Sequence, residues 1–202
     1  MPGTPFLRPH RSRMHNRRVP YPMWSYFPRN ARPEAWALGL VASVERSRSA
    51  LDTTEVSSGN VTKLTSDAVL EVLRPAMEDL GFKVESGKSR GQRIERPVLY
   101  GDNGRPEVTY EIDAFHDELG IAVEVEAGRG AMSNAAYRDI IRTSLLLDAD
   151  YFVLMMPIEY RYQSSGRVLM TEAFAKIRDQ LSAIYASRRL RLPFAAVLLI
   201  GY

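Results

Sequence analysis

The sequence predicts an α/β domain: a mixed β-sheet with a central hairpin, flanked by helices. Three observations predict it. Two alternating stretches, residues 108–116 and 121–127, are separated by Asp117-Glu118-Leu119-Gly120, the pattern of a β-hairpin. Two apolar runs of strand length, residues 151–156 and 194–200, read as buried strands. Amphipathic stretches at helical spacing precede and separate these runs, so helices and strands alternate along the chain.

Taken in order, residues 1–33 read as an irregular basic arm ahead of a single domain over 34–202. The arm holds seven arginines and no acid, while the remaining residues hold 20 basic and 24 acidic side chains. That asymmetry fits either nucleic-acid contact or an incidental tail. The arm is Arg-rich like a transit peptide, but Pro2, Pro5, Pro9, Pro20 and Pro22 break the amphipathic helix such peptides form.

A first helix is expected over 34–49, with Trp36, Leu40 and Val44 spaced i, i+4, i+8, and a polar loop over 52–60. A second is expected over 65–80, with Val69, Leu73, Ala76 and Leu80 on one face and Gly81 just past its end. Residues 82–85 read as a short strand. Residues 86–104 are basic and contain glycine, and read as a mobile loop, interrupted at 97–100. After the hairpin, Ser133 or Asn134 caps a helix to residue 147, with Tyr137, Ile141 and Leu145 as its apolar stripe. Residues 158–167 read as a polar loop. Residues 169–187 read as a helix carrying Phe174, Ile177, Leu181 and Ile184 on one face.

Composition narrows the chemistry. The chain has no cysteine and three histidines. Disulfides and thiolate zinc sites are therefore excluded, and a reducing, cytoplasmic setting is expected. No run approaches the ~20 apolar residues of a membrane helix, so no membrane partner is expected. Gly87-Lys88-Ser89 lacks the upstream glycine of a phosphate-binding loop, and Gly128–Ser133 fits a turn into a capped helix better than a dinucleotide loop.

What remains is a set of carboxylates. On the second hairpin strand Ile121, Val123 and Val125 face one side, and Ala122, Glu124 and Glu126 the other. A turn centred on Glu118-Leu119 puts Asp113 directly opposite Glu124 and Glu111 opposite Glu126. Directly opposed residues share a face with Cβ atoms about 4.5–5.5 Å apart. Like charges so close repel, so either one holds a proton or a cation sits between them. All-oxygen ligation with open positions suits Mg²⁺, or Mn²⁺ in its place. The plain alternative is a solvated strand face, since half-exposed strands alternate acids with apolar residues.

Here the chain resembles the PD-(D/E)xK nuclease superfamily, to which many type II restriction endonucleases belong. The resemblance covers roughly residues 64–156: helix, strand, a hairpin with Asp on its first strand and acid-x-Lys on its second, then helix and strand. Ile112-Asp113 stands where the family has Pro-Asp, and Glu124-Val125-Glu126 where it has (Asp/Glu)-x-Lys. The resemblance implies a restriction endonuclease-like core and a metal-dependent deoxyribonuclease. Asp113 and Glu124 would ligate Mg²⁺ or Mn²⁺, with the Val125 carbonyl a further ligand. Glu126, in the lysine position as in some restriction enzymes, would act as general base or hold a second metal. An additional acid from the preceding helix would be Glu71 or Glu78, with Glu111 a third candidate.

The expected ligand is double-stranded DNA. Lys88, Arg90, Arg93 and Arg96 in the basic loop, with Arg129 and Arg138, are the candidate phosphate contacts. Cutting both strands implies a homodimer with two-fold symmetry. Two other readings remain at this level: a nuclease fold with a lapsed site serving as a binding or assembly module, and an acid-pair glycosidase, for which carboxylates about 5 Å apart would suit retention.

Overall fold

The computed structural model describes residues 20–56, 64–127, 134–187 and 189–202. Among them, β1 (Met23–Phe27), β2 (Lys83–Val84), β5 (Ala114–His116), β6 (Ile121–Val125), β7 (Tyr151–Met156) and β10 (Ala196–Gly201) form one sheet in the order β1-β10-β7-β6-β5-β2. It is mixed: β10, β7 and β6 run parallel, and β1, β5 and β2 join antiparallel to their neighbours.

Both faces of this sheet are covered. Alternation along β6 sends Ile121, Val123 and Val125 into one core, where they meet Val153, Met155, Leu198 and Ile200 from the parallel strands. Leu40 and Val44 of α1 (Ala35–Arg46) and Val69, Leu70, Leu73 and Met77 of α4 (Ser66–Asp79) close that side. Single helical turns α2 (Arg48–Leu51) and α3 (Thr53–Val56) follow α1, the second of them inside the expected loop over 52–60. On the other face Phe115, Ala122, Phe152, Leu154, Val197 and Leu199 meet α5 (Ala135–Thr143) and α6 (Ala173–Ala186). Each Leu, Ile or Phe removed from water in this way contributes about 1.5–3 kcal/mol. The crossovers β6–α5–β7 and β7–α6–β10 step the same way along the sheet, which places both helices on one face.

Local signals set several boundaries. Thr65 Oγ1 accepts the Ala68 N–H at 3.2 Å and starts α4. Gly81 ends it at φ +91°, where a Cβ would also stand 2.8 Å from His116 Nε2. His116 is buried, packs edge-on against Phe82 at 5.2 Å and accepts the Leu119 N–H, so it is a core residue.

Five expectations are corrected. Residues 1–19 of the arm lie outside the described residues, but its last part is not irregular: Met23–Phe27 is the edge strand β1, with Tyr26 and Phe27 buried. The domain therefore extends N-terminal of residue 34. Prolines 22 and 28 bound the strand, and an edge tolerates them. The segment expected as a mobile loop contains β3 (Ile94–Tyr100), paired antiparallel with β4 (Pro106–Ile112); Pro97 is accommodated where the register shifts. The polar loop after β7 is a hairpin of β8 (Tyr160–Ser164) and β9 (Arg167–Thr171), and α6 accordingly starts at Ala173 rather than 169. In α4 the buried row is Val69, Leu70, Leu73 and Met77, with Ala76 and Leu80 only partly buried. In α5 the row Tyr137, Ile141 and Leu145 is exposed, Ile141 at 51%, while Ala136, Asp139, Ile140 and Thr143 are buried. The two rows lie about 100° apart on the helix, so spacing alone does not choose between them.

No helix among the described residues is long and apolar enough to cross a membrane.

Candidate active site

The hairpin register is the expected one: Ala114 faces Val123, Phe115 faces Ala122 and His116 faces Ile121. The first hairpin strand is nevertheless broken at Asp113. Up to Ile112 the chain pairs with β3, where Glu111 lies opposite Glu95, not Glu126. The ribbon β3–β4 then folds back along α5, since Pro97 O accepts the Leu147 N–H at 3.1 Å and Arg96 reaches Asp117 and Asp148. The Val125 N–H, left without a strand partner on that side, donates to Asp113 Oδ2 at 2.7 Å.

Asp113 and Glu124 share a hydrogen bond between their carboxyl groups. Glu124 sits on a central strand beneath α5, so the acids do not form a solvated strand face. Burial pushes the Asp113 carboxyl up to about 6, the Val125 N–H partly opposing it. Burial raises Glu124 well above the usual carboxylate range, and the charges of Asp113 and Asp139 raise it further.

Glu126 follows directly on β6. Its N–H donates to Met155 O at 2.8 Å, and its carbonyl accepts the hydroxyl of fully buried Tyr202 at 2.9 Å, so its backbone is held from both sides. Its side chain meets Asp139 of α5, a residue only 1% exposed. Asp139 Oδ1 accepts the Arg138 Nε–H at 3.0 Å, while Oδ2 has no N–H or hydroxyl donor among the described residues. Burial pushes Glu126 up to about 8, helped by that hydrogen bond to Asp139. Arg138, 59% exposed, bridges the two acids, with its Nη2 3.1 Å from Glu126 Oε1. Asp113, Glu124 and Glu126 thus line a cavity of about 430 Å³ whose rim carries Arg138, Arg142, Lys88 and Glu111, with Asp139 buried behind Glu126.

The sequence reading missed Asp139, and it missed Glu85. Glu85 follows β2 and donates its N–H to Asp113 O at 2.8 Å; burial raises its carboxyl, and its charge raises that of Asp113. The signal for Asp139 was its place among the buried row of α5, obscured by choosing the neighbouring row. Of the helix acids, exposed Glu71 lines an adjoining cavity of about 230 Å³ with Asp67, Arg74 and Glu85. Glu78 lies in the last turn of α4 and lines neither cavity.

The basic candidates separate. Lys88 pairs with Asp67 at 3.3 Å, and Arg93 pairs with Glu111, both at the cavity mouth; Arg90 is exposed nearby. Arg96 is turned inward instead. It is 20% exposed, lies 3.9 Å over the Phe115 ring and binds Asp117 and Asp148, so it secures the ribbon to the sheet. Arg129 lies outside the described residues. Arg142 donates to Glu111 O at 3.3 Å and lies over Tyr110.

No known family model matches the chain. No curated protein matches it either.

Among the described residues no group of three or more His, Asp or Glu side chains is arranged to hold a metal ion unaided. The donor set nevertheless fits a hard cation. Asp113 and Glu124 offer only oxygen, their repulsion is relieved by a cation as well as by a proton, and Mg²⁺ takes one or two carboxylates and keeps several waters. The Val125 carbonyl points to the same strand side as its N–H, toward Asp113.

Proposed function

We propose that this protein is a Mg²⁺- or Mn²⁺-dependent DNA endonuclease, with α4, β2, β5, β6, α5 and β7 as a restriction endonuclease-like core. The observation that carries the reading is the touching pair Asp113–Glu124, placed by a strand break on a central sheet edge, with Glu126 and Asp139 beside it under α5. Gathering four carboxylates, one buried and three half-buried, is costly unless a cation or shared protons offset their repulsion, so such a cluster points to function rather than to stability.

Asp113 and Glu124 would hold the cation, with the Val125 carbonyl beside them. When bound, the cation polarises a phosphodiester oxygen and makes water a better nucleophile. Glu126, once ionised, accepts the proton of the attacking water; burial and Asp139 keep its carboxyl near neutral pH, where a general base works best. Arg138 balances the charge of Glu126 and Asp139 and presents its exposed guanidinium to a phosphate at the rim. Lys88, Arg90 and Arg93 extend the basic rim along a duplex backbone.

A second copy of the chain is the proposed partner across the exposed row Tyr137, Ile141 and Leu145. A duplex has two strands related by two-fold axes, and each chain carries one acid cluster. The row lies on the same helix as Arg138 and Arg142, so a two-fold axis through it brings two clusters to one duplex.

The deciding experiment is calorimetric titration with Mg²⁺ or Mn²⁺ on wild type and Asp113→Ala, with plasmid cleavage assayed in parallel. The expected result is metal binding and metal-dependent nicking by wild type alone. No binding at millimolar metal and no cleavage would overturn the reading and leave a proton-sharing acid cluster in a binding or assembly module.

A further inference from the structure

The ribbon β8–β9 stands at the same end of the sheet as Glu126. It follows the C-terminal end of β7, the strand that pairs with β6, and one residue ties the two together. Tyr202 O accepts the Ile158 N–H at the ribbon's root at 2.7 Å, and the Tyr202 hydroxyl donates to Glu126 O at 2.9 Å. Past its root the ribbon leaves the body. Residues 163–170 are all exposed, Val168 at 61%. A lone two-stranded ribbon is marginal in water, so the exposed row Val168, Leu169 and Met170 along β9 points to an occupant.

We propose that β8–β9 is the element that reads DNA sequence, entering the major groove beside the cleavage site; this rests on the nuclease reading above. The dimensions fit. Five-residue strands span roughly 17 Å, and a two-stranded ribbon fits the groove, about 12 Å wide and 8.5 Å deep. The turn is tight: Ser165 at φ 51° and Gly166 at φ 74° form the two-residue link with positive φ at both positions that holds a twisted hairpin.

The chemistry fits base edges. Gln163 lies directly opposite Val168, so the two share a face of the ribbon. An amide pairs with N6 and N7 of adenine, and an apolar side chain beside it meets the methyl of thymine, so this pair reads A·T. Ser164 lies opposite Arg167 on the other face at the tip, where the guanidinium suits O6 and N7 of guanine. The stacked rings of Tyr160 and Tyr162, with centroids 5.7 Å apart, stiffen the first strand toward its root. A second copy pairing along β9 is the competing occupant, but it would leave Gln163 and Arg167 without a role.

The test is cleavage of a randomised duplex library by the full chain, with the ends sequenced, for wild type, Gln163→Ala, Gln163→Glu and Arg167→Ala. Circular dichroism confirms that each variant is folded. Wild-type ends are expected to share a sequence containing A·T and G·C positions. Gln163→Ala relaxes the A·T position about 10- to 100-fold, Gln163→Glu moves it toward cytosine, and Arg167→Ala relaxes the G·C position. Unchanged preferences in all three variants would overturn the inference. So would cleavage without sequence preference by wild type, or a change in oligomeric state with preference intact; both leave the nuclease reading standing. A wild type that neither cuts nor binds any duplex removes the nuclease reading and this inference with it.

Discussion

The Val125 amide donates to Asp113 Oδ2 across 2.7 Å, at the place in the hairpin where a strand carbonyl would otherwise stand. This one bond fills the gap left as β4 departs from the sheet and holds the Asp113 carboxyl against Glu124. It also separates the charge of Asp113 from its role as an acceptor.

Asp113→Asn keeps an oxygen for the Val125 N–H but removes the charge. It is expected to fold with wild-type stability at neutral pH and to lose metal binding. Asp113→Ala leaves the amide unsatisfied and should cost about 1–3 kcal/mol besides. Urea melts and metal titrations of the two variants separate these effects. Equal loss of stability in both would show that the bond to Val125 contributes nothing.

Stability of the metal-free protein should fall as pH rises. Folded carboxyls raised to about 6 at Asp113 and about 8 at Glu126 favour the neutral acid. Their contribution is complete below the unfolded values, near about 4, and is lost as pH climbs through about 6 and then about 8. The loss for Glu126 is at most about 5 kcal/mol and is reduced by solvent screening of its partly exposed carboxyl. Melts from acid to alkaline pH should show this slope, Glu126→Gln should flatten its upper part, and millimolar Mg²⁺ should restore stability at the alkaline end. A metal-free protein that gains stability with pH would contradict the assignment.

Cleavage should rise with pH below about 8, because Glu126 must lose its proton to act as base. Glu126→Gln removes that rise, with a loss of about 10²–10⁴-fold in turnover. Arg138→Ala leaves the Glu126 charge unbalanced and moves the rise to higher pH. The profile of kcat against pH for the three proteins is the check; an unmoved profile in Arg138→Ala would exclude coupling of Arg138 to the base.

Ile141→Glu places a charge in the exposed row of α5, outside the cavity. Sedimentation should show wild type as a dimer and the variant as a monomer that nicks one strand. A monomeric wild type would remove the proposed interface.

Arg96→Ala should cost about 1–2 kcal/mol, because it leaves Asp148 without its cation and uncovers Phe115, while Asp117 keeps Lys83. Its DNA affinity should keep the wild-type salt dependence, whereas Arg90→Ala should lower the slope of log K against log salt by about one. Salt titrations of both variants decide which arginines touch phosphate.

Local pattern carried much of this fold. The period-2 alternation and the turn at Asp117–Gly120 are enough to set the β5–β6 register, and the apolar runs are enough to place β7 and β10. Asp113 and Glu124 come together as that register requires. The hairpin β8–β9 was also legible, in the Ser165-Gly166 turn between alternating strands, but its polar composition read as a loop.

The sequence by itself determined the periodicities, and with them which residues stand opposite one another on neighbouring strands. Only the tertiary structure decided what covers each face. That β4 leaves the ladder at Asp113, that Arg96 turns inward, and that α5 buries Asp139 rather than Ile141 all depend on contacts between segments far apart in the chain. A helix with two adjacent apolar rows satisfies its own periodicity with either row inward. The choice falls to what lies beneath: here two half-buried glutamates, Glu124 and Glu126, toward which α5 turns a carboxylate and an arginine.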